Sequence, residues 1–370
     1  MGQMVDAAGS GLVFQDGYGS DGTFASLTSS EQAALETDVQ QAESDLSSEF
    51  TNSVTLNVDV EAVDVALVNG RGFIASNAAA DYRAVTLSSY FNALQSVARS
   101  SYQSSAVDDI ENLTDLGGSD YVLLPEGYAS MLGLSNAGTQ VTDQSVQLTQ
   151  GGLTYNLSSS VDDTLFINLA VVQTALEDQP ANIPNDSIVG VIEHELTENG
   201  MGRISSLLTQ SVSGGIGAVW EPADFFRVNS AGQSDVTPNN GTAVFFSPEP
   251  GVTGPVSSLQ FNNNASGGDL GDWISNQTSD PTLTDPFGAG DFNGANGTET
   301  STLSPTDIDL LNALGWTIAS GAGSTGPHAR RAGGDPRFEH IAGRGSVDLR
   351  VLAHRVDFQS ERRRYHGRSL

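Results

Sequence analysis

The residues of this chain that could do chemistry gather in one short run, His194-Glu195-Leu196-Thr197-Glu198. His194 is the one histidine before position 328, and the chain has no cysteine. A metal site in its body can therefore use only imidazole, carboxylate or backbone oxygen. Residues four apart lie one turn apart on the same helical face, so His194 and Glu198 can reach one cation. Glu195 is rotated by about 100° and falls beside that ion rather than on it. Metal-assisted peptide hydrolysis needs such a set: a Lewis-acidic ion to lower the pKa of water, and an adjacent carboxylate to take the proton and deliver it to the leaving amine. The common motif is His-Glu-x-x-His; a carboxylate at its last position is able but rarer. With five histidines and 16 glutamates, the string arises by chance in roughly one such chain in a hundred. The plainer alternative is an amphipathic helix with a satisfied histidine and two surface glutamates, although burying all three without a cation is costly.

The elements that must position this run can be read around it. In PNDSIVGVIEHELTENG, Asp186 or Ser187 is the expected N-cap, and Ile188, Val189, Val191, Ile192 and Leu196 form a buried stripe. Asn199-Gly200 is expected to stop the helix, because both residues tolerate left-handed geometry. Upstream, residues 29–50 read as a Ser-capped helix, 54–67 as a half-buried strand of period two, and 88–98 and 165–176 as helices. Residues 146–148 and 153–157 flank Gly151-Gly152 as a hairpin. Residues 213–303 break into short β-like pieces, and a last helix has Ser304 as cap, Pro305 at its first position, Asp307 in the first turn and Gly315 as terminator. The expected plan is a flexible segment over 1–27, a subdomain with the metal helix over 28–212, a C-terminal subdomain over 213–318, and a linker with a disordered Arg-rich tail over 319–370. The fold class implied is α+β.

Charge narrows the partners. All 15 basic residues are arginine, and ten of them, with five acidic residues, follow position 318. Ahead of that point 40 acidic residues face five arginines, a body charge of −35. Such a body repels nucleic acid and anionic membrane. No apolar run approaches the roughly 18 residues that span a bilayer. The N-terminal residues lack the basic start and apolar core of a Sec-type signal. An acidic body suits an extracellular, calcium-rich setting, with solubility alone as the competing explanation. The expected partner is a protein or peptide substrate, met by a monomer. The stretch DFNGANGTE at 291–299 offers oxygen ligands for a structural Ca2+, but its glycine and acidic positions are not those of an EF-hand, and a polar turn is the simpler reading.

The run EHELTENGMGRI (193–204) resembles the active-site helix of a group of secreted bacterial zincin-type metalloproteases, in which His-Glu-Ile-Thr-Glu is followed by Met-Gly-Arg. Further matching pieces follow in the same order: EPADFFR at 221–227, VFFS at 244–247, GDLGDW at 268–273 and LGW at 314–316. The strand at 53–60 and the Leu-Gly-Leu segment within 125–134 also fit, so the resemblance spans roughly residues 50–316. It implies a zincin-like fold: a mixed sheet with backing helices, the metal helix at the cleft floor, and a less regular C-terminal subdomain. A zincin draws a third ligand from beyond its helix, and no histidine follows before the linker. The resemblance therefore implies a carboxylate or carbonyl ligand; Asp224 is expected, with Glu221 as the alternative. Glu195 becomes the general base, and the ion Zn2+ or another divalent cation, since one histidine with two carboxylates is oxygen-rich for zinc. Arg203 and Arg227 are candidates for holding ligand carboxylates or stabilising an oxyanion, against ordinary ion pairing. Two functions stay open: a secreted metal-dependent endopeptidase, or a non-catalytic, acidic, calcium-binding surface or matrix protein on the same scaffold.

Overall fold

The computed structural model describes residues 11–19, 24, 27–64, 75–111, 118–143, 145–147, 154–169, 185–213, 216–237, 241–250, 255, 259–264, 269–274 and 303–320. The 291–299 turn and the Arg-rich tail lie outside the described residues. Among the described residues the protein is α+β, with mixed and antiparallel sheets and several helices. The chain begins with β1 (Leu12–Tyr18), α1 (Ser29–Glu49) and β2 (Val54–Val63). Next come β3 (Ala75–Ala78), β4 (Asp81–Thr86), α2 (Leu87–Val97), α3 (Ser101–Glu111), β5 (Tyr121–Pro125), the short α4 (Glu126–Met131) and β6 (Thr139–Thr142). The hairpin of β7 (Ser145–Gln147) and β8 (Thr154–Asn156) precedes β9 (Asp163–Asn168), and α5 (Asn185–Glu195) carries the motif. Downstream lie β10 (Ser211–Val212), β11 (Gly217–Ala218), β12 (Arg227–Val228), β13 (Val244–Phe246), β14 (Gln260–Phe261) and α6 (Pro305–Ala313).

The main sheet has the order β1-β2-β9-β3. β1 runs parallel to β2, β2 parallel to β9, and β3 antiparallel to β9. Two expectations are corrected here. Residues within 1–27 were expected to lack order, but Leu12–Tyr18 is a strand in register with β2, from Leu12 opposite Val54 to Tyr18 opposite Val60. Its order comes from a partner distant in sequence. Residues 165–176 were expected to be helical, yet Asp163–Asn168 is a strand with all six residues buried; Leu169 is helical, and 170–176 lie outside the described residues. A short apolar run buried on both faces has no period that separates strand from helix.

The helix predictions at 29–50 and 88–98 match α1 and α2. The cap of α1 is Thr28 rather than a serine: Glu31 N donates to Thr28 Oγ1 at 3.3 Å, and Thr28 N donates to Glu31 Oε2 at 2.6 Å. α6 starts as expected, with Ser304 and Asp307 exchanging a capping box and Gly315 turning left-handed at φ +97°. α5 packs against α1 and is already formed at Asn185, ahead of the expected cap; the residues before it lie outside the described set. The helix stops at Asn199-Gly200 as expected, but its last stretch, Leu196–Gly200, is a π-helical turn. The left-handed residue is Gly202, at φ +83°, where a Cβ would come within 2.5 Å of the Tyr128 ring. One apolar core runs from Leu12 to Trp316 and includes Ile192, Leu196, Phe225, Phe246 and Leu311, residues on both sides of position 212. Trp316 Nε1 donates to Met201 O at 2.9 Å, so the end of α6 braces the segment that leaves the motif helix. No helix among the described residues is long and apolar enough to cross a membrane.

Candidate metal centre

His194 occupies the last turn of α5 and Glu198 the π-helical turn that extends it. A residue from a separate loop joins them: Asp272, beyond β14. His194 Nε2 lies 3.3 Å from Glu198 Oε1 and 3.3 Å from Asp272 Oδ1. One ligand atom from each of the three residues falls within 4.8 Å of the others. An imidazole nitrogen and two carboxylate oxygens converging in this way fit a divalent cation by donor type and by span.

The π-helical turn changes which groups satisfy the backbone at the junction, as such turns commonly do at functional sites. The carbonyl of His194 accepts from Thr197 Oγ1 at 2.8 Å and from Arg203 NH2 at 3.2 Å. The carbonyl of Glu195 accepts from Asn77 Nδ2, out on β3. Asn199 Nδ2 donates to Asn77 Oδ1 at 2.9 Å, and Tyr82 OH donates to Asn199 Oδ1 at 3.1 Å. The Asn77 amide from β3 and the Tyr82 hydroxyl from β4 thus grip the turn that carries Glu198.

Arg203, fully buried, faces both carboxylates. NH1 donates to Asp272 Oδ1 at 2.9 Å and to Gly271 O at 3.1 Å, NH2 reaches Glu198 Oε1 at 3.3 Å, and Nε donates to Thr197 Oγ1 at 3.1 Å. The same two carboxylate oxygens therefore meet His194 on one side and Arg203 on the other. This planar, multi-donor role suits a guanidinium better than an ammonium. The electrostatics follow. Burial works against a charged His194, but Asp272 and Glu198 outweigh it and push its pKa up to about 10. Burial also raises Glu198, yet His194 and Arg203 hold its carboxyl below the ordinary value. Burial and then Glu198 push Glu195 well up. Asp272 is raised by burial, against His194 and Arg203. Without an ion, His194 and Arg203 together balance Glu198 and Asp272; a divalent cation bound here would take the place of the His194 proton.

Asp224, the expected third ligand, does not stand with this group. Its carboxylate is fully buried elsewhere and fully used. Oδ1 accepts from Ser205 Oγ at 2.6 Å and from Leu207 N at 3.2 Å; Oδ2 accepts from Leu207 N at 3.2 Å and from Glu221 N at 2.9 Å. It anchors the loop after the motif, where Leu207 and Leu208 take left-handed backbone at φ 49° and 64°, a strain that such anchoring must hold. Glu221 opens the 3₁₀ turn Pro222–Phe226 and is also outside the group; burial and the nearby Asp224 push its carboxyl well up. Of the two arginines, Arg203 bonds both carboxylates, whereas Arg227 bonds Leu270 O, Asn262 O and Asn263 Oδ1 instead. Sequence reasoning missed Asp272 as a member of this group. The segment Gly-Asp-Leu-Gly-Asp-Trp offers two carboxylates between glycines, and nothing local in it singles out Asp272.

No protein-family model matches the chain, and neither a curated protein nor a solved structure does.

Proposed function

We propose that this protein is a secreted, metal-dependent endopeptidase of zincin-like build, with His194, Glu198 and Asp272 as metal ligands and Glu195 as general base. The observation that carries the reading is the convergence of His194 Nε2, Glu198 Oε1 and Asp272 Oδ1, each within 4.8 Å of the others, next to a buried glutamate in the motif. A divalent ion held by this set would supply Lewis-acid polarisation of a peptide carbonyl and of water. Glu195 takes the proton from water and returns it to the leaving amine. Arg203 keeps Glu198 and Asp272 turned toward His194. An imidazole among the donors favours zinc or a similar transition ion over calcium. The zincin-like reading draws support from a motif helix packed near β3, the edge of a mixed sheet. The acidic body fits an extracellular setting and protein or peptide substrates.

The test is Glu195→Gln. The wild-type chain should purify with a stoichiometric transition metal, read by elemental mass spectrometry, and should cleave an unstructured protein such as casein. Glu195→Gln should keep the metal and lose hydrolysis by about 10²-fold or more. Undiminished cleavage by Glu195→Gln would remove it as the base. Bound metal with no hydrolysis in the wild type would move the protein to the non-catalytic reading.

A further inference from the structure

Arg227 has no exposed surface, yet it forms no ion pair with any described residue. Its NH1 donates to Leu270 O, and its NH2 donates to Asn262 O at 3.1 Å and to Asn263 Oδ1 at 3.0 Å. The guanidinium lies 4.8 Å over the Phe261 ring, and its Nε is buried without a hydrogen-bond partner among the described residues. Burial lowers its pKa to about 10 against the pull of Asp224, Asp235 and Asp269. A buried cation that hydrogen-bonds only neutral acceptors among the described residues is an expensive way to fill space, and an apolar side chain of similar volume would fill it at lower cost. Packing alone does not account for it.

What its donors hold does. Asn262 and Leu270 lie at the two ends of the loop that leaves β14 and delivers Asp272. Within that loop Asn262 N donates to Asp272 O at 2.7 Å, Asn262 Nδ2 to Asp269 O at 2.7 Å, and Gly271 N to Asp269 Oδ1 at 2.6 Å. The loop closes by returning to β14, where Ile274 N donates to Gln260 O at 2.7 Å and Phe261 bridges Trp273. Arg227 also ties both ends together, from β12, two strands away from β14 in the same sheet.

We propose that Arg227 is a positioning residue for the metal centre: by bonding Leu270, Asn262 and Asn263 at once, it sets the backbone from which Asp272 reaches His194 and Glu198. The inference rests on the metal-centre reading above. A ligand displaced by about 1 Å no longer completes a coordination set, and a planar guanidinium reaches three oxygens where an ammonium does so with less order.

The test uses the full chain as wild type, Arg227→Met, Arg227→Lys, Asn263→Ala and Asp272→Asn. Co2+ affinity is measured by competition with a chromogenic chelator, and the d–d absorption of the bound Co2+ is recorded beside metal-free thermal unfolding. Both Arg227 variants should bind Co2+ about 10- to 100-fold more weakly, with an altered d–d band that a loss of stability alone does not produce. Asn263→Ala should shift both readouts in the same direction by less, and Asp272→Asn by more. Wild-type affinity and spectrum in the Arg227 variants would overturn the positioning role while leaving the metal centre standing. If Arg227→Met and Arg227→Lys do not fold, Asn263→Ala decides, and an unchanged spectrum and affinity there overturns the role. A wild-type chain that takes up no Co2+ under chelator-free conditions fails the metal-centre reading itself, and this inference with it.

Discussion

Asp272 Oδ1 stands 3.3 Å from His194 Nε2 and 2.9 Å from Arg203 NH1, so one oxygen of a loop residue is shared between the motif histidine and a buried guanidinium. Asp224, also fully buried, has both oxygens engaged by Ser205, Leu207 and Glu221. The two aspartates should therefore fail differently. Asp272→Ala should reduce divalent-metal affinity by on the order of 100-fold or more, and it should also destabilise the metal-free protein because it strips a partner from the buried Arg203. Asp224→Ala should leave buried donors unpaired and destabilise the fold by about 3 kcal/mol, with metal stoichiometry unchanged in the folded protein. Urea unfolding and metal analysis of both variants read the contrast. Metal loss in Asp224→Ala with retention in Asp272→Ala would reverse the assignment.

Arg203 neutralises a pair of carboxylates that are otherwise buried side by side. Arg203→Met should destabilise the metal-free protein by about 3 kcal/mol or more, because it leaves buried charges uncompensated. A divalent ion should then restore more stability in the variant than it adds to the wild type. The check is the thermal midpoint of each protein with and without Zn2+. Equal metal-induced shifts in the two would count against shared neutralisation of Glu198 and Asp272.

How much of this was legible in the sequence depended on the range of the contacts involved. His194, Glu195 and Glu198 could be read because helical spacing is a local property. α6 could be read for the same reason, its Ser304, Pro305, Asp307 and Gly315 all being local signals. Asp272 could not be picked out, since its place beside His194 is set by Arg203, Asn262 and the return of the chain to β14. Asp224 was the more conspicuous carboxylate, but its neighbours are backbone and hydroxyl donors that no pattern announces. β9 was mistaken for a helix because burial on both faces removes the alternation that marks a strand. β1 was passed over because its order is borrowed from β2. The π-helical turn left no trace at all: Leu-Thr-Glu-Asn-Gly gives no local reason to widen, and the groups that satisfy it, Asn77 and Arg203, come from elsewhere.

Asn77 is the residue through which the sheet touches the motif. It donates to the Glu195 carbonyl and accepts from Asn199, which in turn accepts from Tyr82. Asn77→Ala breaks this relay at two points, leaving the Glu195 carbonyl and the Asn199 amide short of a partner. The expected result is a loss of about 2 kcal/mol in stability and a fall in peptide hydrolysis of roughly 10-fold or more with metal still bound, since outer groups of this kind orient ligands rather than supply them. Unfolding curves and casein cleavage at matched metal occupancy test it. Tyr82→Phe removes only the outermost donor, so it should show a smaller change in the same direction. A larger effect from Tyr82→Phe than from Asn77→Ala would mean that the relay does not act through Glu195.

Outside the candidate metal group, Glu43 on α1 meets Asp16 on β1. Glu43 Oε1 and Asp16 Oδ1 are both buried without a hydrogen-bond donor among the described residues, while Tyr18 OH donates to Asp16 Oδ2 at 3.1 Å. Burial, and then the proximity of Asp16, pushes the Glu43 pKa from 4.5 up to about 10. At neutral pH the folded protein therefore keeps a proton on Glu43 that the unfolded chain releases. The sign follows from that difference: this contribution to stability is fully present below about pH 4.5 and is lost as pH rises toward 10, no faster than ~1.4 kcal/mol per pH unit. Glu43→Gln replaces the protonated carboxyl with an amide that can donate to Asp16 at any pH. Its stability should fall less than that of the wild type between pH 5 and pH 9, so the variant is the more stable protein at the alkaline end. Urea unfolding of both chains across that range gives the difference curve, and a flat difference would show that Glu43 exchanges no proton on unfolding.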